Sequence, residues 1–156
     1  ITPHHLYLTR NDIFLGGLTP HMFCLPIAQR KEDCLAIRKA ATSGDEHFFL
    51  GTDSAPHLVS AKESGQGVPG IFNAPASIER VAQIFDDCEA IQNLEAFVSL
   101  NGARFYGLAP NTETIRLRKK TSPPDYPRKI VENDVEVFVF TPKERTYWCI
   151  ESESQR

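Results

Sequence analysis

The sequence predicts an α/β fold with a β-rich C-terminal third, on three observations. The apolar run Phe48-Phe49-Leu50 leads into Gly51-Thr52-Asp53-Ser54-Ala55-Pro56-His57, as a short buried strand does when it opens into a loop. Stretches with helical spacing lie on both sides of it, giving the strand, loop, helix order of a parallel sheet. The last third changes to short runs that alternate apolar and charged residues.

Taken in order, Ile1 to Leu8 is an apolar run with a proline inside and predicts an opening strand. Thr9 to Leu25 contains Gly16-Gly17 and Pro20 and is followed by Pro26, so it predicts a long connection, a kind of loop that more often carries function than not. From Arg30, residues Cys34, Leu35, Ile37, Arg38 and Ala41 follow helical spacing, and Ser43-Gly44 supplies a stop. Ser60 to Gly70, with three glycines and Pro69, predicts a loop folded over the strand end. Ala74 to Phe85 predicts a helix, with Pro75 in its first turn and Ile78, Val81, Ala82 and Phe85 as its apolar stripe. A second helix takes in Leu94 to Val98, before the compact element Arg104 to Leu108.

Thr114 to Arg118, Val135 to Phe140 and Thr146 to Ile150 predict short half-buried strands, set apart by Pro123-Pro124 and Pro127. The division this suggests is residues 1–110 as the α/β part and 111–156 as a β-rich extension packed on it.

A chain of 156 residues with a net charge of -3 and interspersed acids and bases offers no basic stripe for nucleic acid. No apolar stretch is long enough for a membrane span. Cys24, Cys34, Cys88 and Cys149 are scattered without C-x-x-C spacing and are expected as reduced, mostly buried thiols, which points to a cytoplasmic protein.

Asp53 and His57 are the first candidates for chemistry. A carboxylate at a strand end can ligate a metal or move a proton, and an imidazole four residues on can hold an anionic substrate. If the strand belongs to a barrel, Asp53 sits at its C-terminal mouth, where barrel active sites lie. Read without further context, the same acid is more often a helix cap or a loop residue. His4-His5 looks like a metal pair, but adjacent strand residues face opposite ways, so they are read as structural, as are His21 and His47. Lys62-Glu63 is read as a solvated or supporting pair.

Beyond these readings, Thr2-Pro3-His4-His5-Leu6, Arg10-Asn11, Gly16-Gly17, Pro20-His21, Cys24 to Ile27, Gly51 to His57, Lys62 to Ser64, Asn73 to Pro75, Leu94 to Phe97, Asn101-Gly102 and Phe105 to Leu108 run collinearly as in one family. The chain resembles the C-terminal part of a class II dihydroorotase of the amidohydrolase superfamily. The resemblance implies the last strands and helices of a (β/α)8 TIM-type barrel, with residues 111–156 as a β-rich extension. It implies zinc-dependent interconversion of N-carbamoyl-L-aspartate and L-dihydroorotate in pyrimidine synthesis.

It also implies two zinc ions held by four histidines, a carboxylated lysine and an aspartate. Asp53 matches that aspartate, as metal ligand and proton shuttle; His57 matches a contact to the substrate carboxylate, and Leu25 a contact to the ring through its backbone N–H and C=O. The family's further backbone N–H contact falls at Pro69, which has no N–H to give. The remaining metal ligands find no match, which implies an N-terminal remainder of the barrel upstream of Ile1 and no activity for this chain alone; the resemblance itself also implies a homodimer. Two other readings stay open: a noncatalytic partner or relic of an amidohydrolase barrel, and another cyclic amidohydrolase such as a dihydropyrimidinase or allantoinase.

Overall fold

The computed structural model describes residues 1–151. The opening segment is not a strand: His4–Leu6 forms a 3₁₀ turn, because Pro3 already holds helical angles (φ -56°, ψ -43°) and its carbonyl accepts the Leu6 N–H at 3.2 Å. The connection that follows carries two more 3₁₀ turns, Arg10–Ile13 and Pro20–Met22. Thr9 caps the first of these, its N–H and hydroxyl both donating to the Asp12 carboxylate at 2.8 Å.

Helix α1, Lys31–Thr42, begins where the Asp33 carboxylate accepts the Arg30 N–H and ends before Gly44, whose φ of +81° a side chain would resist. Phe48 to Leu50 is not paired as a strand among the described residues. Its amides turn elsewhere: Leu50 N–H to Phe97 O at 2.9 Å and Gly51 N–H to Ile1 O at 3.0 Å. The segment expected as pure loop opens with a one-turn helix α2, Val59–Lys62, and continues without regular structure to Gly70.

Helix α3, Ser77–Asp87, follows a 3₁₀ turn at Ala74–Ala76 in which Pro75 takes the expected first-turn place. It is buried beyond its predicted stripe, since Glu79, Arg80 and Gln83 are covered along with Val81, Ala82, Ile84 and Phe85. Tyr7 donates its hydroxyl to the Arg80 carbonyl at 2.7 Å, and the Arg80 guanidinium lies over the Phe140 ring at 5.5 Å. The second predicted helix runs as a π-helical turn, Ala96–Leu100, into α4, Asn101–Phe105. Phe85 and Phe97, both fully covered, meet with ring centroids 5.3 Å apart in the main core, each burial contributing about 1.5–3 kcal/mol.

Strand β1, Leu117–Lys119, pairs antiparallel with β4, Trp148–Ile150; β2, Lys129–Glu132, pairs antiparallel with β3, Val135–Phe138. The β2–β3 hairpin turns on Asn133 and Asp134, both at positive φ (47° and 65°), as a two-residue hairpin turn requires. Beyond β3, Val139 and Phe140 enter the core, and Trp148 Nε1 donates to Asp86 at the end of α3. The architecture is thus mixed helix and strand. The expected parallel sheet is represented among the described residues only by single bridges, Ser54 with Ile71 and Phe72 with Val139. Residues 152–156 of the expected extension lie outside the described residues.

Candidate active site

Asp53 stands at φ +43°, a conformation that few residues other than glycine accept and that recurs at working sites. Its place is set from beneath by Asn73, which is wholly buried. The Asn73 side-chain amide donates to Thr52 O at 2.8 Å and to His4 Nδ1 at 3.0 Å, while Oδ1 accepts the Ser77 hydroxyl at 2.6 Å. Ser54 adds a second tie: its hydroxyl accepts the backbone N–H of both Asn73 and Ala74 at 3.1 Å. Asp53 therefore projects from a peptide held on both sides, with its own carboxylate exposed.

His4 completes this floor. With Nδ1 accepting from Asn73, the neutral ring carries its proton on Nε2, which is buried and finds no partner among the described residues. Burial, then the neighbouring His5, pushes its pKa down to about 3.

His57, half-buried, packs its ring on Gly70. A Cβ at Gly70 would lie 2.7 Å from His57 Nε2 and 2.9 Å from the Ala55 Cβ, and Gly70 has φ +138°; only glycine allows this approach. The Ala55 N–H to Ile71 O bond at 3.0 Å fixes the same register. Pro69 precedes Gly70 and is half-buried.

Leu25 is 60% exposed, and its backbone is positioned by its neighbours. His5 Nε2 donates to Pro26 O at 2.7 Å, and the buried Cys24 thiol reaches the same carbonyl at 3.5 Å. Here the strand premise for His4-His5 fails, since in a 3₁₀ turn the two rings stand 4.7 Å apart. With Cys24 they form a cluster whose potential ligand atoms lie within 4.8 Å. Both His5 nitrogens are nonetheless engaged, Nδ1 with the Thr2 hydroxyl at 2.7 Å and Nε2 with Pro26, so the cluster works as a hydrogen-bonded joint behind Leu25.

The fold draws these segments together. Burial pushes the Cys24 thiol up. Gly70 N–H donates to Phe23 O at 3.0 Å, joining the Pro69 segment to the Leu25 segment. His21 is elsewhere engaged, paired with Glu63 at 2.9 Å and stacked on Phe138 at 4.3 Å. His47 pairs locally with Asp45 on the surface. All four cysteines are free thiols; Cys24 and Cys34 are buried, whereas Cys88 is exposed.

The sequence alone gives no role to Asn73 or Gly70 and leaves Lys62 as one of a solvated or supporting pair. The Pro69-Gly70 pair was a usable signal for a special backbone position; nothing local marked Asn73 as buried.

An architecture and a sequence of this kind have known counterparts. The dihydroorotase of Allorhizobium ampelinum is 48% identical over 155 residues, covering 99% of this chain and 44% of the relative. That of Parasynechococcus marenigrum is 55% identical over 119 residues, 76% of this chain and 35% of the relative. The crystal structure of dihydroorotase from Saccharomyces cerevisiae in complex with 5-fluoroorotic acid superposes with a TM-score of 0.80 at 32% identity, covering 97% of this chain and 42% of that one. The Campylobacter jejuni dihydroorotase gives 0.80 at 31% identity over 97% of this chain and 43% of its own. No family model matches the chain. The chain thus spans less than half the length of the relatives it matches.

Proposed function

The chain belongs to the dihydroorotase family, whose C-terminal part it matches, and from that premise we propose that it supplies one wall of a dihydroorotase active site within a longer protein. The reaction is the reversible, zinc-dependent cyclisation of N-carbamoyl-L-aspartate to L-dihydroorotate. In this reading residues 1–110 are the C-terminal part of a (β/α)8 barrel and 111–156 an extension packed on it. The partner is the N-terminal remainder of that barrel, and the assembled enzyme is a homodimer.

The observation that carries the reading is the convergence of the Asp53–His57 turn with the segments of Leu25 and Pro69, through the His57 ring on Gly70 and the Gly70 N–H to Phe23 O bond. Asp53 presents an exposed oxygen donor at a backbone position fixed by Asn73 and Ser54, which suits a hard-oxygen ligand to zinc. One carboxylate cannot hold two ions, so the other ligands come from the remainder of the barrel. Zinc supplies Lewis acidity when bound.

Asp53 accepts a proton at its carboxylate and returns it to the ring nitrogen as the amide opens; in cyclisation it moves the proton the other way. His57, held against Gly70, binds the substrate carboxylate. Leu25 offers its backbone N–H and C=O to the planar ring amide, which presents both a donor and an acceptor. Pro69 contributes shape without a donor, so one ring contact is weaker by about 0.5–1.5 kcal/mol. Pro69→Ala in the full-length enzyme is expected to tighten dihydroorotate binding by a few-fold, and unchanged affinity rules out that role.

The assignment itself is tested by assaying the zinc-loaded full-length protein on carbamoyl aspartate, hydantoin and allantoin. Turnover of carbamoyl aspartate is expected. Turnover of hydantoin or allantoin alone places the protein with another cyclic amidohydrolase, and turnover of none supports a noncatalytic partner.

A further inference from the structure

Lys62 is a charged residue only 3% exposed. Its ammonium donates to three backbone carbonyls: Phe23 at 2.9 Å, Val68 at 2.9 Å and Gly70 at 2.7 Å. An ammonium has three N–H groups, so its donors are fully used. Burial of a charge is costly, and here burial pushes the Lys62 pKa down to about 8. No carboxylate pairs with it among the described residues; carbonyl oxygens do all the work of solvation.

The identity of those carbonyls matters more than their number. Phe23 lies two residues before Leu25, and Val68 and Gly70 bracket Pro69. Gly70 in turn is the surface on which the His57 ring rests, and its N–H shares the Phe23 carbonyl with Lys62. One buried ammonium therefore ties the Phe23–Leu25 segment to the Val68–Gly70 segment, on which the His57 ring rests.

We infer that Lys62 is a positioning residue of the substrate site, setting the spacing between the Leu25 backbone, the Pro69 segment and the His57 ring. The inference rests on the dihydroorotase reading. It makes Lys62 a determinant of ring and carboxylate binding while leaving metal loading and proton transfer to other groups. A lysine that merely filled space would affect the amount of folded enzyme and not the affinity of what folds. Loss of binding common to ground state and transition state raises KM and spares kcat.

The test uses the zinc-loaded full-length enzyme, comparing wild type, Lys62→Met and Lys62→Arg by kcat, KM for dihydroorotate and zinc content. Lys62→Met is expected to raise KM about ten-fold or more, with kcat within about three-fold and zinc unchanged, as displaced binding groups do. Lys62→Arg keeps the charge without the three-pronged donor geometry and is expected between the two. A folded, zinc-replete Lys62→Met enzyme with wild-type KM overturns the inference. If Lys62→Met does not fold, Lys62→Arg decides: a raised KM supports the positioning role and a wild-type KM overturns it. Absence of turnover in the wild type itself overturns the dihydroorotase reading and this inference with it, and is recognised before any variant is measured.

Discussion

Replacing Gly70 by alanine tests how the site holds His57. The new Cβ would stand 2.7 Å from His57 Nε2, 2.8 Å from Cδ2 and 2.9 Å from the Ala55 Cβ. Carbon atoms rest at roughly 3.5–4.0 Å, so the ring must swing away by about 1 Å and the Ala55 backbone must also yield. The φ of +138° adds a conformational cost, of order 1–3 kcal/mol for a residue with a side chain. A 1 Å displacement of a substrate-binding group can cost up to roughly 100-fold in rate. Gly70→Ala in the full-length enzyme is therefore expected to lose about 1–3 kcal/mol in urea unfolding and about 10- to 100-fold in kcat/KM for dihydroorotate, mostly through KM. Gly107→Ala is the control: Gly107 also has positive φ (+65°), but a Cβ there meets nothing within 4 Å. It should lose about 1–2 kcal/mol and leave KM unchanged. Wild-type KM in Gly70→Ala would show that His57 does not depend on this contact for its placement.

Two further outcomes concern the floor beneath Asp53. Asn73→Ala removes the partners of Thr52 O, His4 Nδ1 and the Ser77 hydroxyl in a fully buried setting, and is expected to cost roughly 2–5 kcal/mol in denaturant unfolding; a loss under about 0.5 kcal/mol contradicts the frame described for Asp53. His4 is neutral when folded, with its pKa pushed from 6.5 to about 3, so the unfolded chain binds the extra proton between those values. Its contribution is fully present above pH 6.5 and declines as pH falls toward 3, by up to about 1.4 kcal/mol per pH unit. His4→Gln should flatten the acid limb of a stability-against-pH curve, and an unchanged slope would show that His4 is not the group responsible.

How much of this was legible before the structure depends on the range of the interactions. Helices α1 and α3 were readable because their signals are local: apolar spacing, Pro75 in the first turn, and Gly44 after the last. The Asp53–His57 turn is readable as a candidate because a carboxylate and an imidazole follow an apolar run, and its proposed roles come from the collinear motifs. The apolar content of Ile1 to Leu8 suggests a strand, but the helical angles of Pro3 start a 3₁₀ turn. Strand β2 leaves no alternating signal, since Ile130 and Val131 are adjacent apolar residues, although Asn133-Asp134 is a turn signal.

Lys62 shows the limit most clearly. It lies in the polar run Lys62-Glu63-Ser64-Gly65-Gln66, which leaves a solvated and a supporting role equally open, and α2 is too short to reveal a face. Its burial is created by the Phe23 carbonyl, 39 residues away in sequence, together with the loop that closes over it. Asn73 is similar: its partners at Thr52 and His4 are 21 and 69 residues distant. Polar residues buried by distant backbone groups leave no periodic trace.

The most direct test of the central claim is the rate of dihydroorotate hydrolysis by zinc-reconstituted full-length Asp53→Asn, set beside wild type with zinc content measured in both. The proposed role of Asp53 as both metal ligand and proton shuttle predicts a fall of roughly 100-fold or more in kcat, with part of the zinc lost. An Asp53→Asn enzyme that keeps full zinc and turns over at the wild-type rate would contradict it.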